Sequence, residues 1–324
     1  MKKYFVVTID AEIDKSRDWG IPEELTYQSI IKGIPQRLTP LFERYQVKPT
    51  YLLSSEIIEN HSCVNVLNKL TNAELGAHLH GDLIDPERTN KKLAGIISLE
   101  MQCTYPKKLE RAKLLNLKNM FVNAFGYSPE SFRAGRFAIG NQTLSILSEL
   151  SFKVDTSVTP GIEWIYPEGR SNHIMAPEQP YFPDERNFIE EGDLNILEVP
   201  VTIIDVNAKD PPEFLSFTWL RKKARRLIGR NHNLYWLRPS FSSLHEMIYA
   251  IKTIEFKYRG CKNIVVNMMF HTNEIIPQAS PYTSTERDCN NLLKKMCGVF
   301  EYCQKQNFQF VILSELYHVF KVIP

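Results

Sequence analysis

Strand-like and helix-like patterns alternate along this chain, and the alternation predicts an α/β protein with parallel strands. Three observations carry that expectation. Tyr4 to Ile9 is a nearly continuous apolar, β-rich run, as a strand covered on both faces requires. Stripes of apolar residues at i, i+3, i+4 spacing separate several such runs. The composition is globular: 324 residues, 43% hydrophobic and 23% charged, with 39 Lys plus Arg against 37 Asp plus Glu, for a formal net charge of +2. These values exclude a disordered or collagen-like chain, and no apolar run approaches the roughly 18 residues of a membrane span. A chain of this length can bury one large core.

The first strand stops at Asp10. From about Pro35 the residues Leu38, Leu41, Phe42 and Tyr45 share one stripe, so a helix is expected with Pro40 inside it. A second strand is expected at Thr50 to Leu53. Further short runs occur at Glu74 to Ala77, Ser131 to Arg133, Phe152 to Val154, Ile196 to Val199, Ile264 to Phe270 and Phe308 to Leu313. Between them, Leu117, Met120, Phe121 and Ala124 form a helical stripe that Gly126 should terminate. Leu144, Leu147 and Leu150 form another, and Leu292, Leu293, Met296, Val299 and Phe300 a third. Residues 161–260 are the least regular stretch and read as an irregular insertion within one domain spanning 1–324.

The amino terminus begins with two lysines, but its apolar stretch is short, ends in acids and lacks a small-residue cleavage site. A buried strand in a cytoplasmic protein is expected. The six cysteines show no C-x-x-C spacing and are too sparse for a disulfide scaffold, so they read as reduced packing residues. Residues 221–230 hold six basic residues in ten, flanked by Phe214, Phe217, Trp219, Tyr235 and Trp236. Three readings fit this run: a solvated helix face, a surface for anionic lipid or glycan, and a nucleic-acid contact. A whole-chain charge of +2 gives little long-range attraction to phosphate, so no nucleic-acid partner is expected; peripheral contact with the inner face of the membrane through 221–230 stays open beside a solvated helix face.

In parallel α/β proteins functional side chains collect at the carboxyl ends of strands, where loops vary around a fixed frame. Asp10 and Glu12 come after the first strand at i, i+2, which sends both carboxylates to one side if the extended conformation continues. The third strand ends in His78, His80 and Asp82, two imidazoles and a carboxylate within five residues. Such groups can converge on one divalent cation, whose usual ligands are His nitrogen and carboxylate oxygen. Arg133 at the fourth strand end can orient a carboxylate through a bidentate pair, with Arg136 close behind. Asp155 comes after the fifth strand, and His271 and Glu274 after the run ending at Phe270.

On this set of residues the sequence resembles the polysaccharide deacetylase family, the NodB-homology amidohydrolases of carbohydrate esterase family 4. The resemblance implies a deformed parallel (β/α) barrel. Thr8-Ile9-Asp10-Ala11-Glu12 is similar to the family's T-F-D-D opening, so Asp10 corresponds to the catalytic base. Ala11 occupies the usual second Asp, and the metal-binding role passes to Glu12. Lys48-Pro49-Thr50-Tyr51-Leu52 resembles the second strand, and Glu74-Leu75-Gly76 precedes a motif that in the family reads H-[ST]-x-x-H. His78 fits its first position; four residues on stands Asp82, with His80 between, so the expected ligands are Glu12, His78 and either His80 or Asp82. Arg133 corresponds to the arginine that holds the catalytic Asp, although the Pro-Tyr that comes after it in the family is missing. Asp155 resembles the acid that tunes the general acid, and His271 that general acid; Arg136 and Glu274 are the expected substrate-binding residues.

The resemblance implies a metal-dependent N-deacetylase with a divalent cofactor, zinc first, acting on an acetylated carbohydrate. Without an export signal, the expected substrate is an intracellular precursor, nucleotide-linked or lipid-linked. Two alternatives stay open: another C–N hydrolase acting on cyclic amides or imides, and a glycan-binding protein that has lost catalysis.

Overall fold

The structure, a computed structural model, describes residues 1–17, 19–88, 101–166, 169–206 and 234–321. The basic run at 221–230 and the membrane contact left open for it lie outside the described residues. The strands are β1 (Lys2–Ala11), β2 (Pro49–Leu53), β3 (Glu74–Leu79), β4 (Ser131–Ala134), β5 (Val154–Asp155), β6 (Glu163–Tyr166), β7 (Gly169–Asn172), β8 (Leu197–Glu198), β9 (Ile203–Asp205), β10 (Leu234–Trp236), β11 (Asn263–His271) and β12 (Gln309–Phe310). Eight of them form one sheet in the order β11-β1-β2-β3-β4-β5-β8, with β12 also pairing β1. Every pairing in this sheet is parallel. The sheet curls into an open half-barrel surrounded by helices, the deformed (β/α) barrel that the motifs imply.

Residues 161–260, expected as an irregular insertion, contain the antiparallel ribbons β6–β7 and β9–β10 and also supply β8 to the main sheet. Between β8 and β11 the ladder gives way to one backbone bond, Thr202 N–H to Asn267 O at 3.1 Å, and a set of side-chain bonds. Asn267 Nδ2 donates to Val199 O at 3.2 Å, Pro200 O at 3.3 Å and Thr156 Oγ1 at 2.8 Å, and the Asn267 N–H donates to Thr202 Oγ1 at 2.8 Å. The backbone groups at that gap are thereby satisfied without a continuous ladder.

Burial of β1 explains its unbroken apolar run. Phe5, Val7 and Ile9 pack into the main core, whereas Tyr4 and Val6 pack on the other face with Val154, Leu197, Val265, Leu313 and Leu316. Period 2 then assigns Thr8 and Asp10 to that second face, where they continue the row of Tyr4 and Val6. An apolar plug therefore fills the lower part of the half-barrel and polar groups occupy its carboxyl end.

Helix Lys107–Phe125 ends at Gly126 with φ 80°, the left-handed cap the sequence predicts. The helix expected around Pro40 is present: a π-helix, Ser29–Leu38, runs directly into the helix Thr39–Tyr45, with Leu38 and Thr39 both in the right-handed helical region and Pro40 at the junction. The run Phe308 to Leu313 is strand only at Gln309–Phe310, because Leu313 already opens helix Leu313–Phe320 on the apolar plug. No described helix is long and apolar enough to cross a membrane.

Candidate metal centre

Parallel register brings the polar residues together. Asp10 is aligned with His271 across β1 and β11, and His78 with Arg133 across β3 and β4. Residues 74–80 are extended, so His78 and His80 emerge on the same side of the strand at i, i+2. Glu12 Oε1 lies 3.1 Å from His78 Nε2 and 3.0 Å from His80 Nε2, and the two Nε2 atoms are 3.1 Å apart.

The chemistry of this donor set fits a cation. His78 Nδ1 lies 3.0 Å from the carbonyl of Arg133, which can only accept, so Nδ1 carries the proton. On a neutral ring Nε2 is then a lone pair facing a carboxylate oxygen and a second imidazole nitrogen, an arrangement stable only with a proton or a metal ion among them. The ligand atoms of Glu12, His78 and His80 all lie within 4.8 Å of one another, as do those of Asp10, Glu12 and His271.

Asp82, the rival third ligand, stands apart from both groups. The chain turns at Gly81, where the Gly81–Leu83 turn begins and carries Asp82 off the strand direction. Its two carboxylate oxygens are buried with no hydrogen-bond partner among the described residues. Gly81 is needed there because a Cβ would sit 2.3 Å from Tyr105 Oη. Lys113, buried, fixes the turn by donating to Gly81 O at 2.6 Å, Ile84 O at 2.9 Å and Pro86 O at 2.6 Å.

Arg133 is fully buried and fills its donor fork: Nη1 to Asp10 Oδ1 at 2.6 Å, Nη2 to Thr8 Oγ1 at 2.6 Å and Nε to Thr156 O at 2.9 Å. Burial by itself raises the Asp10 pKa, but the Arg133 guanidinium, with His78 and His271, outweighs it and holds the carboxyl below its ordinary range. Glu12 is likewise held well below its ordinary value despite burial, chiefly by His80 and Lys15.

His271 Nε2 lies 3.6 Å from Asp10 Oδ2 and 3.9 Å from Glu12 Oε1, and the Trp19 ring packs against the imidazole at 5.1 Å between centroids. Its Nδ1 faces Glu274 Oε1 at 2.9 Å. Two expectations change here. Asp155, expected to tune His271, instead accepts from Ser157 Oγ and N–H at 2.8 and 3.1 Å and lies against Glu198, its register partner. Glu274, expected to bind substrate, is wholly buried behind His271, where it accepts from Arg238 Nη2 at 2.6 Å. The physical reason is geometric: a turn at Thr272–Ile275 folds Glu274 back onto the imidazole three residues earlier, while Asp155 is spent on its own strand end. Glu198 is pushed well above its ordinary pKa by burial and by the neighbouring Asp155 charge. Arg136 is half-buried with φ 57°, in the turn after β4.

Sequence reasoning missed Lys15, Arg238 and Glu198. Lys15 stands three residues after Glu12, a spacing that signals little in a loop. Arg238 sits in the least regular stretch, and Glu198 reads as one polar residue in an apolar run.

No protein-family profile and no curated protein matches the chain. Solved structures do match its fold. A protein of Parabacteroides distasonis, provisionally named a glycoside hydrolase/deacetylase, aligns over 99% of this chain and 71% of its own at 10% identity and TM-score 0.65. Puue allantoinase aligns over 100% of this chain and 92% of its own at 12% identity and TM-score 0.55. A Mycobacterium smegmatis protein, provisionally named a polysaccharide deacetylase, aligns over 100% and 92% at 14% identity and TM-score 0.52. This chain therefore has the polysaccharide deacetylase type of deformed (β/α) barrel, with a His/Glu cluster able to hold a divalent ion at the carboxyl end of its strands.

Proposed function

We propose that the chain is a divergent polysaccharide deacetylase: a metal-dependent hydrolase that removes the acetyl group from an N-acetylated sugar or glycan precursor. One observation carries the reading, the convergence of Glu12 Oε1, His78 Nε2 and His80 Nε2, with His78 Nδ1 directed at the Arg133 carbonyl, beside an arginine-paired Asp10 and a carboxylate-backed His271. Glu12, His78 and His80 hold the divalent ion, for which zinc is the first candidate. When bound, such an ion lowers the pKa of a water molecule and polarises an acyl oxygen.

The chain's own residues do the rest. Asp10, kept ionised and oriented by Arg133, accepts the proton of the attacking water. His271, held through Nδ1 by Glu274, presents Nε2 on the same side as Asp10 and donates a proton to the leaving nitrogen, which departs badly as an anion. The same layout serves hydrolysis of a cyclic amide, a second reading favoured by the likeness to the allantoinase fold. The proposed setting is cytoplasmic, with 1–324 as one catalytic domain and a sugar carried on a nucleotide or lipid diphosphate.

The test is acetate release from N-acetylated amino sugars, free and diphosphate-linked, by the zinc-loaded protein, with allantoin alongside. Asp10→Asn is expected to lose about 10²-fold to 10⁴-fold in rate while keeping its metal. Undiminished turnover in that variant refutes the assignment of the base, and tight binding of acetylated sugar by a metal-replete protein without turnover refutes catalysis.

A further inference from the structure

Lys15 is a lysine 8% exposed at the carboxyl end of the sheet. Its backbone N–H donates to Ala279 O at 2.9 Å, pinning the loop after β1 to the chain beyond the Thr272–Ile275 turn. Its ammonium lies 3.4 Å from Glu12 Oε2. The two oxygens of Glu12 thus face different partners: Oε1 the imidazoles at 3.0 and 3.1 Å, Oε2 the ammonium. A carboxylate held this way offers one oxygen to a cation.

The charge balance points the same way. Asp10, Glu12 and Glu274 are ion-paired with Arg133, Lys15 and Arg238, so three negative charges are matched by three positive ones within the protein. Arg133 and Arg238 pair with carboxylates outside the Glu12, His78, His80 group, whereas Lys15 pairs with the group's one carboxylate. In a buried site, a positive charge in contact with a ligand repels a divalent ion strongly, because the surroundings screen it poorly.

We propose that Lys15 is a positioning residue of the metal centre: it fixes Glu12 as a one-oxygen ligand and holds the affinity for the ion below what Glu12, His78 and His80 give alone. This rests on the metal-dependent function proposed for the chain. Lys15→Met keeps the aliphatic stem and removes the charge, and Lys15→Arg keeps the charge. Affinity of the full chain for Zn²⁺ is measured by competition with a chromophoric chelator, and circular dichroism and unfolding temperature check the fold. The Met variant is expected to bind Zn²⁺ about tenfold more tightly or better, and the Arg variant within about threefold of wild type. Unchanged or weaker affinity in a folded Lys15→Met overturns the proposal. If that variant does not fold, Lys15→Gln carries the same measurement and expectation, and loss of fold in both makes the pair purely structural, which also overturns it. A wild-type chain that binds neither Zn²⁺, Co²⁺ nor Mn²⁺ overturns the metal reading itself, a failure distinct from that of Lys15 alone.

Discussion

Replacement of Arg133 by Met tests the frame of the site at its most buried point. Met matches the aliphatic stem but supplies no donors, so Asp10 Oδ1, Thr8 Oγ1 and Thr156 O lose the guanidinium at 2.6, 2.6 and 2.9 Å. Asp10 becomes a buried carboxylate without its guanidinium partner. Breaking a buried ion pair from one side costs about 3 to 5 kcal/mol. Unfolding entropy of about 2.1 cal/mol/K per residue gives about 0.7 kcal/mol/K for 324 residues. The expected fall in unfolding temperature is therefore about 4 to 7 °C, read by scanning calorimetry in metal-free buffer near neutral pH. The pH dependence supplies a second check. In the wild type the Asp10 pKa is depressed below 3.8, so its pairing stabilises the fold above the unfolded value and is lost as pH falls through the folded one. Without Arg133 the strongest influence holding the Asp10 pKa down is lost and protonation relieves the stranded charge, so the gap between the two proteins should narrow on acidification. A variant within about 1 °C of wild type, or a gap that does not change with pH, refutes the reasoning.

Glu274→Gln should lower kcat by about 10²-fold with metal content unchanged, because the carboxylate behind His271 is lost; Asp155→Asn, which touches Ser157 and Glu198 instead, should lower it far less, and equal losses would contradict the assignment. His80→Ala should weaken metal binding by about 10²-fold while Asp82→Asn retains it, measured by chelator competition; the reverse order would place the third ligand on Asp82. Burial lowers the His78 pKa, but Asp10 and Glu12 outweigh it and raise it, so in metal-free protein its proton stabilises the fold below 6.5 and is lost as pH rises through the raised value. The ion competes with that proton, so the rise in unfolding temperature on adding Zn²⁺ should be larger at about pH 8 than at about pH 6. A thermal shift independent of pH would count against an imidazole ligand set.

Local rules made much of the site legible. The i, i+2 spacing of Asp10 with Glu12 and of His78 with His80 places each pair on one side as long as the backbone stays extended past the strand end. Arg133 was readable as a strand-end cation for a carboxylate, and it meets Asp10. Which of His80 and Asp82 lies beside Glu12 and His78 was not legible, because it depends on where the strand turns, and that is decided by the packing of Gly81 against Tyr105 and by the Lys113 clamp. The partner of His271 was misplaced for a related reason: Glu274 and Asp155 are equally plausible acids in one dimension, and only the turn at Thr272–Ile275 brings the former back onto the ring.

By itself the sequence determined the parallel α/β plan and the kinds of group the strand ends carry, because side-chain period and burial act over a few residues. Tertiary structure decided which of those groups meet. The register of β1 with β11 and of β3 with β4 aligns Asp10 with His271 and His78 with Arg133, and loop packing adds Lys15 to Glu12 and Arg238 to Glu274. Contacts between residues 55 to 261 positions apart arise from sheet curvature and loop closure, which no short-range pattern encodes.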